Sequence, residues 1–486
     1  MGQVPRIRIR KANKGDINGQ GDFVLYWMIT SRRVQWNFSL QRAVEWAKGL
    51  KKPLIILEAL RSGYPWASDR LHRFVLDGML DNARALERHN VFYYPYVEKS
   101  PEGGKGLLET LAQKACLVVT DDFPAFFIPR MVKAASRRLK VLLEQVDGNG
   151  LLPMQAADRV YPTAYVFRRF LQKSLPGCLV ERPEPDPLKG VTLKKAKTPE
   201  TLEKWPAESV DKLGSTAFEL SSLPIDHQVA PVKRKGGSRE AHRQLSRFLA
   251  QGLPNYIEDR NQPEEEGTSG LSPYLHFGHI SVHQVFNELI EREEWLFDRL
   301  SDRAAGGRSG WWGMSENAES FLDELITWRE LGFNMCRQRK DYDQYESLPT
   351  WALDTLSAHE LDKRDYIYSL KEFERGKTHD PLWNAAQMEL AREGRIHNYL
   401  RMLWGKKILQ WTGTPRKALS IMIELNNKYA LDGRDPNSYS GIFWVLGRYD
   451  RAWGPERPVF GKVRYMSSKS TARKVRVKNY VQKYGP

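Results

Sequence analysis

Between residues 22 and 147, short apolar runs alternate with amphipathic stretches, and this rhythm restricts the fold more than any other feature of the chain. DFVLYWM (22–28), PLIILEAL (53–60), VFYYPYV (91–97), CLVVTDD (116–122) and VLLEQVD (141–147) read as strands. The intervening stretches 36–50, 69–89, 106–115 and 128–138 read as helices. Strands that alternate with helices build a parallel, doubly wound sheet, which takes its ligands at the carboxyl ends of the strands. Pro95 lacks a ladder donor and sends the third run towards a sheet edge. No G-x-G-x-x-G follows the first strand and no P-loop is present, so the usual signatures of dinucleotide and nucleoside-triphosphate chemistry are missing.

The character then changes. ERPEPDPLKG and KTPETLEKWPAESVDK are rich in proline and charge, and 183–240 reads as a connecting segment with short ordered pieces. Beyond it the pattern is helical, with candidates at 241–251, 282–292, 320–337, 351–357, 384–411 and 414–427. A loop rich in glycine and serine (304–315) reads as an insertion. The expected fold class is therefore α/β plus all-α. It comprises a doubly wound parallel-sheet domain (1–182), a linker (183–240) and an all-helical domain (241–486).

A chain of 486 residues is long enough for two or three cores. Its net charge of +16 points to a polyanionic partner, nucleic acid before membrane. The positive charge is clustered. Arg451, Arg457, Lys462, Arg464, Lys469, Arg473, Lys474, Arg476, Lys478 and Lys483 face only Asp450 and Glu456 in that stretch. Cys116, Cys178 and Cys336 are widely spaced, with neither a disulfide framework nor metal-ligand spacing, which implies a reducing cytoplasm and no metal. No apolar run reaches membrane-spanning length, and the N-terminus has no apolar signal region. Fifteen tryptophans suit stacking on flavin or bases, or a large aromatic core.

Three stretches carry candidate chemistry. The segment 384–411 reads as one long helix, with His397, Arg401, Trp404, Ile408 and Trp411 along a single stripe. Such a stripe is either a core face with a snorkelling arginine or a cofactor-facing surface. The loop EEEGTSGLSPYLHFGHIS offers Thr268, Ser269, Gly270 and Ser272 as a phosphate cradle, or forms a plain turn. In ESFLDELITWREL, Glu324 and Trp328 fall four apart on one helical face. There they either grip a flat heteroaromatic ring or simply pack together.

LSPYLHFG, ELITWREL, THDPLWNAAQMEL, HNYLRMLWGKKILQW, LNNKYALDGRDPN and ERPVFGKVRYM occur in that order. Together they resemble the class II cyclobutane pyrimidine dimer (CPD) photolyases of the photolyase/cryptochrome family. The resemblance covers nearly all of the helical half, and the α/β half has the matching layout. It implies a flavoenzyme in which reduced FAD, excited by blue or near-UV light, passes an electron to a pyrimidine dimer in DNA. The cyclobutane ring opens and the electron returns.

By this resemblance Tyr256, Arg260, Thr268, Ser269, Gly270, Leu271 and Ser272 lie around the FAD phosphates and ribitol. Asn398, Arg401, Asp432 and Gly433 also belong to the FAD site, with Arg401 and Asp432 as an ion pair on the isoalloxazine. Asn426 falls at flavin N5. Trp328 and Trp444 match two aromatics that wedge a flipped-out dimer. Glu324 matches a group that bonds the 5′ base, and Asn261 and Met402 match other pocket positions. Trp404, Trp383 and Trp411 match an electron relay whose order spacing does not give. Arg451 matches a residue inserted into the gap left by the dimer, and Lys462 and Arg464 match contacts to the DNA backbone.

Two departures stand out. Asn398 occupies a position where most class II members carry glycine, and Trp36 replaces an expected small acidic or amide residue beside the antenna half. The antenna expected for the class is an 8-hydroxy-5-deazaflavin. The expected protein is a cytoplasmic monomer that acts on dimer-containing DNA without a membrane. Two other classes compete with it. A cryptochrome-like FAD photoreceptor without repair has no need of the dimer pocket, and a basic helical scaffold without cofactor would be colourless. A (6-4) photoproduct enzyme would place a catalytic histidine in the pocket, whereas His276 and His397 fall in other motifs.

Overall fold

In the computed structural model, residues 2–214 and 220–485 are described; 215–219, part of the expected linker, lie outside them. The chain forms two compact units, each assembled from separate stretches. The first comprises Met1–Ala157, Ser174–Ser246 and Leu271–Glu291; the second comprises Asp158–Lys173, Arg247–Gly270 and Arg292–Pro486.

The first unit is built on a six-stranded sheet in the order β1-β6-β5-β2-β3-β4. The strands are β1 (Ile9–Lys11), β2 (Phe23–Met28), β3 (Leu54–Leu60), β4 (Val91–Val97), β5 (Ala115–Asp121) and β6 (Leu143–Val146). Strands β2 to β6 pair in parallel. The helices α1 (Phe38–Leu50), α2 (Asp69–Leu86), α3 (Leu107–Lys114) and α4 (Ile128–Arg138) alternate with them. This is the expected doubly wound architecture. Strand β4, with Pro95, is an edge strand. The other edge is β1, antiparallel to β6. Its sequence IRK is too short and too charged to show a strand period, so only pairing reveals it.

Strand order reverses between β2 and β5, where doubly wound sheets open a crevice. Here the crevice is braced by Asp121. Its Oδ2 accepts the backbone N–H groups of Ile29, Thr30 and Ser31 at 2.9, 2.8 and 3.0 Å. Its Oδ1 accepts from Tyr26 Oη at 2.9 Å. Trp36, just beyond, adopts a left-handed backbone (φ 49°) that suits asparagine or aspartate better than an aromatic residue. The Arg33 guanidinium donates twice to the Trp36 carbonyl, at 3.3 and 3.1 Å, which holds that conformation.

The described parts of the 183–240 segment, 183–214 and 220–240, are built into this unit. Leu188 and Leu193 join the core under β2, and Leu213 and Leu223 join a second cluster beside α2. Trp205 Nε1 donates to Gly103 O at 2.8 Å. Proline and charge dominate its composition, but these apolar residues anchor it.

Gly78 of α2 shows how tight the packing is. A Cβ there would lie 2.4 Å from His279 Nε2. His279 is fully enclosed, its Nδ1 accepting from Gly237 N at 2.9 Å, and burial drives its imidazole down to about 3. Gly78→Ala is expected to destabilise the protein by about 1–3 kcal/mol despite the better helix propensity of alanine. Calorimetry should show a Tm lower by roughly 2–6 °C; an unchanged Tm would mean that the ring moves freely.

No strand is assigned among the described residues of the second unit. Its relevant helices are α5 (Pro381–Glu393), α6 (Asn398–Gln410), α7 (Pro415–Tyr429), α8 (Pro436–Val445) and α9 (Lys478–Tyr484). The expected single helix over 384–411 is in fact α5 and α6. Gly394 (φ 67°) ends α5 in the left-handed conformation, its N–H closing on Leu390 O. His397 becomes the N-cap residue of α6, so the stripe on that helix is Arg401, Trp404 and Ile408.

Candidate functional site

The turn after α7 is fixed by Arg434, which sequence reasoning did not single out. Its guanidinium donates to Asn427 O, to Ala430 O at 3.3 Å and to Leu431 O at 3.2 Å, satisfying carbonyls at the helix end. Its N–H donates to Asn427 Oδ1 at 2.9 Å. The turn so held presents Asp432, with buried Gly433 beside it. From α6, Arg401 Nη2 donates to both Asp432 oxygens, at 3.2 and 3.3 Å. The structure thus forms the expected ion pair.

Polar atoms are left open around that pair. Arg401 Nε and both ring nitrogens of His397 are buried without a hydrogen-bond partner among the described residues. Burial, then Arg395, drives the His397 imidazole down to about 4, so it is neutral near pH 7. Asn426, buried on α7, donates through Nδ2 to Ser438 Oγ (2.8 Å) and Asn427 Oδ1 (3.2 Å), which orients the amide. Asn398 is exposed at the start of α6, and Met402 is half-buried next to Arg401.

A second group gathers on the other side of the sequence. Residues Asp323–Trp328 form a π-helical turn between the helices Glu316–Leu322 and Arg329–Gln338. Both Glu324 and Trp328 lie in it, in place of the ordinary helical face expected; such turns often occur at functional sites. Arg260 pairs with Glu324, donates to Ser320 Oγ at 3.2 Å and lies 5.2 Å from the Tyr256 ring. Burial pushes the Tyr256 phenol far up. A residue expected on the cofactor and one expected on the lesion therefore share an ion pair. Asn261 is exposed, while Thr268, Ser269 and Gly270 are half-buried. Leu271 and Ser272 continue the chain into the first unit, Leu271 buried and Ser272 exposed.

The three tryptophans are brought together. Trp404 Nε1 donates to Gln387 Oε1 at 2.9 Å, and Trp383 Nε1 donates to Trp404 O at 3.0 Å. The Trp383 and Trp411 rings are 6.0 Å apart. Trp411 then meets His379 (4.8 Å) and Tyr368 (5.8 Å), and Tyr366, which is 47% exposed, stacks on His379 at 3.8 Å. The run therefore leads from the α6 core to solvent.

Trp444, near the end of α8, anchors a third group. Arg464 lies 5.2 Å from its ring and 4.0 Å from the Trp453 ring, and Arg451 lies 4.6 Å from the Trp453 ring. Asp450 holds Arg464 at 2.9 and 3.1 Å and accepts from Trp453 Nε1 at 3.2 Å. Burial raises the Asp450 carboxyl, but Arg464, the Arg451 N–H and Trp453 outweigh it and hold the group below its ordinary value. Exposed Lys462 accepts the Trp453 N–H through its carbonyl at 2.8 Å, while its ammonium lies 3.4 Å from Glu456. Burial drives the Lys406 ammonium down to about 7, with Asp450 opposing and Arg464 adding to the shift. Asp450, Trp453 and Lys406 were missed; a charge on the apolar side of LWGKKILQW was the available signal for Lys406.

Helix α8 packs against both α6 and the Arg329–Gln338 helix that continues from Trp328, so one helix joins these groups. Among the described residues, no cluster of three or more His, Cys, Asp or Glu is placed to hold a metal ion.

The chain is 35% identical over 479 residues to a deoxyribodipyrimidine photo-lyase of Methanothermobacter thermautotrophicus, covering 98% of this chain and 97% of that one. The chain belongs to the deoxyribodipyrimidine photo-lyase family. A photo-lyase of Arabidopsis thaliana is 34% identical over 493 residues (99% and 92% covered), and one of Potorous tridactylus is 33% identical over 481 residues (97% and 82% covered). A class III photolyase from Agrobacterium tumefaciens shares the fold with a TM-score of 0.67 at 19% identity, covering 96% of this chain and 86% of that one. No family model matches the chain. Membership of this photo-lyase family makes the chain a flavoprotein of DNA repair, with a chromophore of FAD type. The open atoms of Arg401 and His397 fit such a group. No described helix is long and apolar enough to cross a membrane.

Proposed function

We propose that this chain repairs cyclobutane pyrimidine dimers in DNA by light-driven electron transfer, as a class II enzyme acting as a cytoplasmic monomer. The observation that carries the reading is α8 packed against both α6, with Arg401 and Trp404, and the helix following Trp328. One helix thereby links the cofactor side to the lesion side.

FAD, when bound and reduced, would supply the photoexcited electron. The Arg401–Asp432 pair orients the ring system, and Asn426 offers an amide that suits either protonation state at the flavin edge. Tyr256, Arg260, Thr268, Ser269, Gly270, Leu271 and Ser272 hold the phosphates and ribitol, with Asn398 and Gly433 at the margin. Trp328 and Trp444 stack on the flipped bases. Each stacked base contributes roughly 1–3 kcal/mol, against the few kcal/mol that unstacking costs. Glu324 bonds the 5′ base, for which it must leave Arg260 or share it, and Asn261 and Met402 complete the pocket. Arg451 fills the vacated gap and Lys462 meets the backbone. Arg464, tied to Asp450, contributes more through the two indoles than through phosphate. The relay order we infer is Trp411, Trp383, Trp404, from solvent inward. In the α/β unit, an 8-hydroxy-5-deazaflavin antenna finds support in aromatic residues past the strand ends: Tyr64 stacks on His72 at 5.8 Å and on Phe127 at 5.5 Å.

The deciding experiment follows thymine absorbance of an oligonucleotide with one cyclobutane dimer, mixed with reduced protein, in light and in darkness. A (6-4) lesion serves as control. Light-dependent recovery on the dimer alone supports the reading. No recovery from a flavin-loaded protein removes it in favour of a photoreceptor. In the same assay Glu324→Ala is expected to retain FAD and slow repair by about 10²-fold, the usual loss when one preorganised hydrogen-bonding group is removed from a developing charge. Undiminished repair would exclude that role.

A further inference from the structure

Lys406 lies wholly inside the second unit, and none of the roles above uses it. A buried ammonium is costly unless its donors are met. Here Nζ donates at 2.6 Å to Val445 O, the carbonyl of the last residue of α8. A cation there also meets the negative end of the helix dipole. The same Nζ lies 5.2 Å from the centroid of the Trp444 ring. Arg464 lies at the same 5.2 Å from that ring and is itself fixed by Asp450. One indole is thus flanked by two basic side chains, each tied to a partner of its own.

We infer that Lys406 is a positioning residue for the damaged base: it locks the last turn of α8 and holds the Trp444 indole in its stacking orientation. The inference rests on the reading of Trp444 as a lesion-stacking residue. The half-buried indole reaches solvent while Lys406 does not, so Lys406 acts through Trp444 and never touches DNA. Methionine in its place would fill much of the space, but it would leave the Val445 carbonyl without the Nζ donor and remove one of the two basic groups beside the indole.

The test measures dissociation constants of flavin-loaded protein for a duplex with one cyclobutane thymine dimer, together with single-turnover repair of the bound dimer. The variants are Lys406→Met, Lys406→Arg, Trp444→Leu and the double Lys406→Met/Trp444→Leu. Lys406→Met is expected to weaken binding about tenfold, with the loss in affinity rather than in the repair rate of bound dimer. Lys406→Arg should recover most of it. In the Trp444→Leu background, Lys406→Met should add less than about twofold, as for two residues acting as one. Native affinity in Lys406→Met, or additive losses in the double variant, would overturn the proposal. If Lys406→Met is recovered without flavin, Lys406→Gln takes its place with the same expectation; flavin loss in both assigns Lys406 to the fold and also overturns it. Native affinity in Trp444→Leu is a separate failure, because it removes the lesion-stacking reading itself.

Discussion

Trp404→Phe is expected to abolish light-driven reduction of the oxidised flavin while leaving repair by chemically reduced protein unchanged. Trp404 shares α6 with Arg401, one helical turn away, and the Trp383 indole donates to its backbone carbonyl. Trp383 is fully buried and touches Trp411, which alone of the three reaches the surface aromatics His379 and Tyr366. In the relay proposed above, an electron entering from solvent meets Trp404 last. Phenylalanine fills most of the volume but is far harder to oxidise, and it leaves Gln387 Oε1 without its donor. The measurement is bleaching of flavin absorbance under blue light with an external reductant, next to repair after dithionite reduction. Normal bleaching in the variant would exclude Trp404 from the relay. Loss of both readings would place its role in binding instead.

Arg401→Ala should have the second large effect, on cofactor retention. Arg401→Ala removes the guanidinium that pairs with Asp432 in a partly exposed ion pair. The cost is about 2–4 kcal/mol, at the lower end because the pair is partly exposed. That corresponds to a fall in FAD affinity of roughly 30- to 10³-fold, so the variant should purify largely colourless. Lysine at this position restores charge but not the planar fork and should lie between. Full flavin content in Arg401→Ala would show that the pair does not face the cofactor.

The sheet was legible because its strands are continuous apolar runs. Burial on both faces leaves Val24, Leu25, Ile55, Ile56 and Val118 no polar alternation to obscure the pattern. Strand β1 was not, since three residues carry no period. The helix break at Gly394 was missed because the apolar stripe continues in register across it, and only the left-handed backbone interrupts the ladder. At the site, Arg401 and Asp432 could be named from their motifs. The pairing of Arg260 with Glu324 could not, since the two are 64 positions apart and each carried a separate expected role. Lys406 was signalled only by its place on the apolar side of LWGKKILQW, and its partner Val445, 39 positions on, was not legible.

The 260–270 loop is held by contacts distant in sequence. Glu264 accepts from the N–H groups of Asn479 (2.6 Å) and Tyr480 (3.2 Å), and Gln262 accepts from Arg476 N at 3.1 Å. The Tyr480 hydroxyl on α9 reaches Glu389 Oε2 at 2.7 Å, and that oxygen also receives His397 N at 2.9 Å. Helix α9 thus ties the 260–270 loop to the start of α6. The Glu264 contacts join residues 215 and 216 positions apart, and closing so long a loop comes after local helices have formed. These long-range contacts are therefore expected to form late in folding. A ligand that binds only the chain with these contacts made would add its binding free energy to them, so the tie between α9 and the 260–270 loop would hold more firmly in the loaded protein than in the empty one.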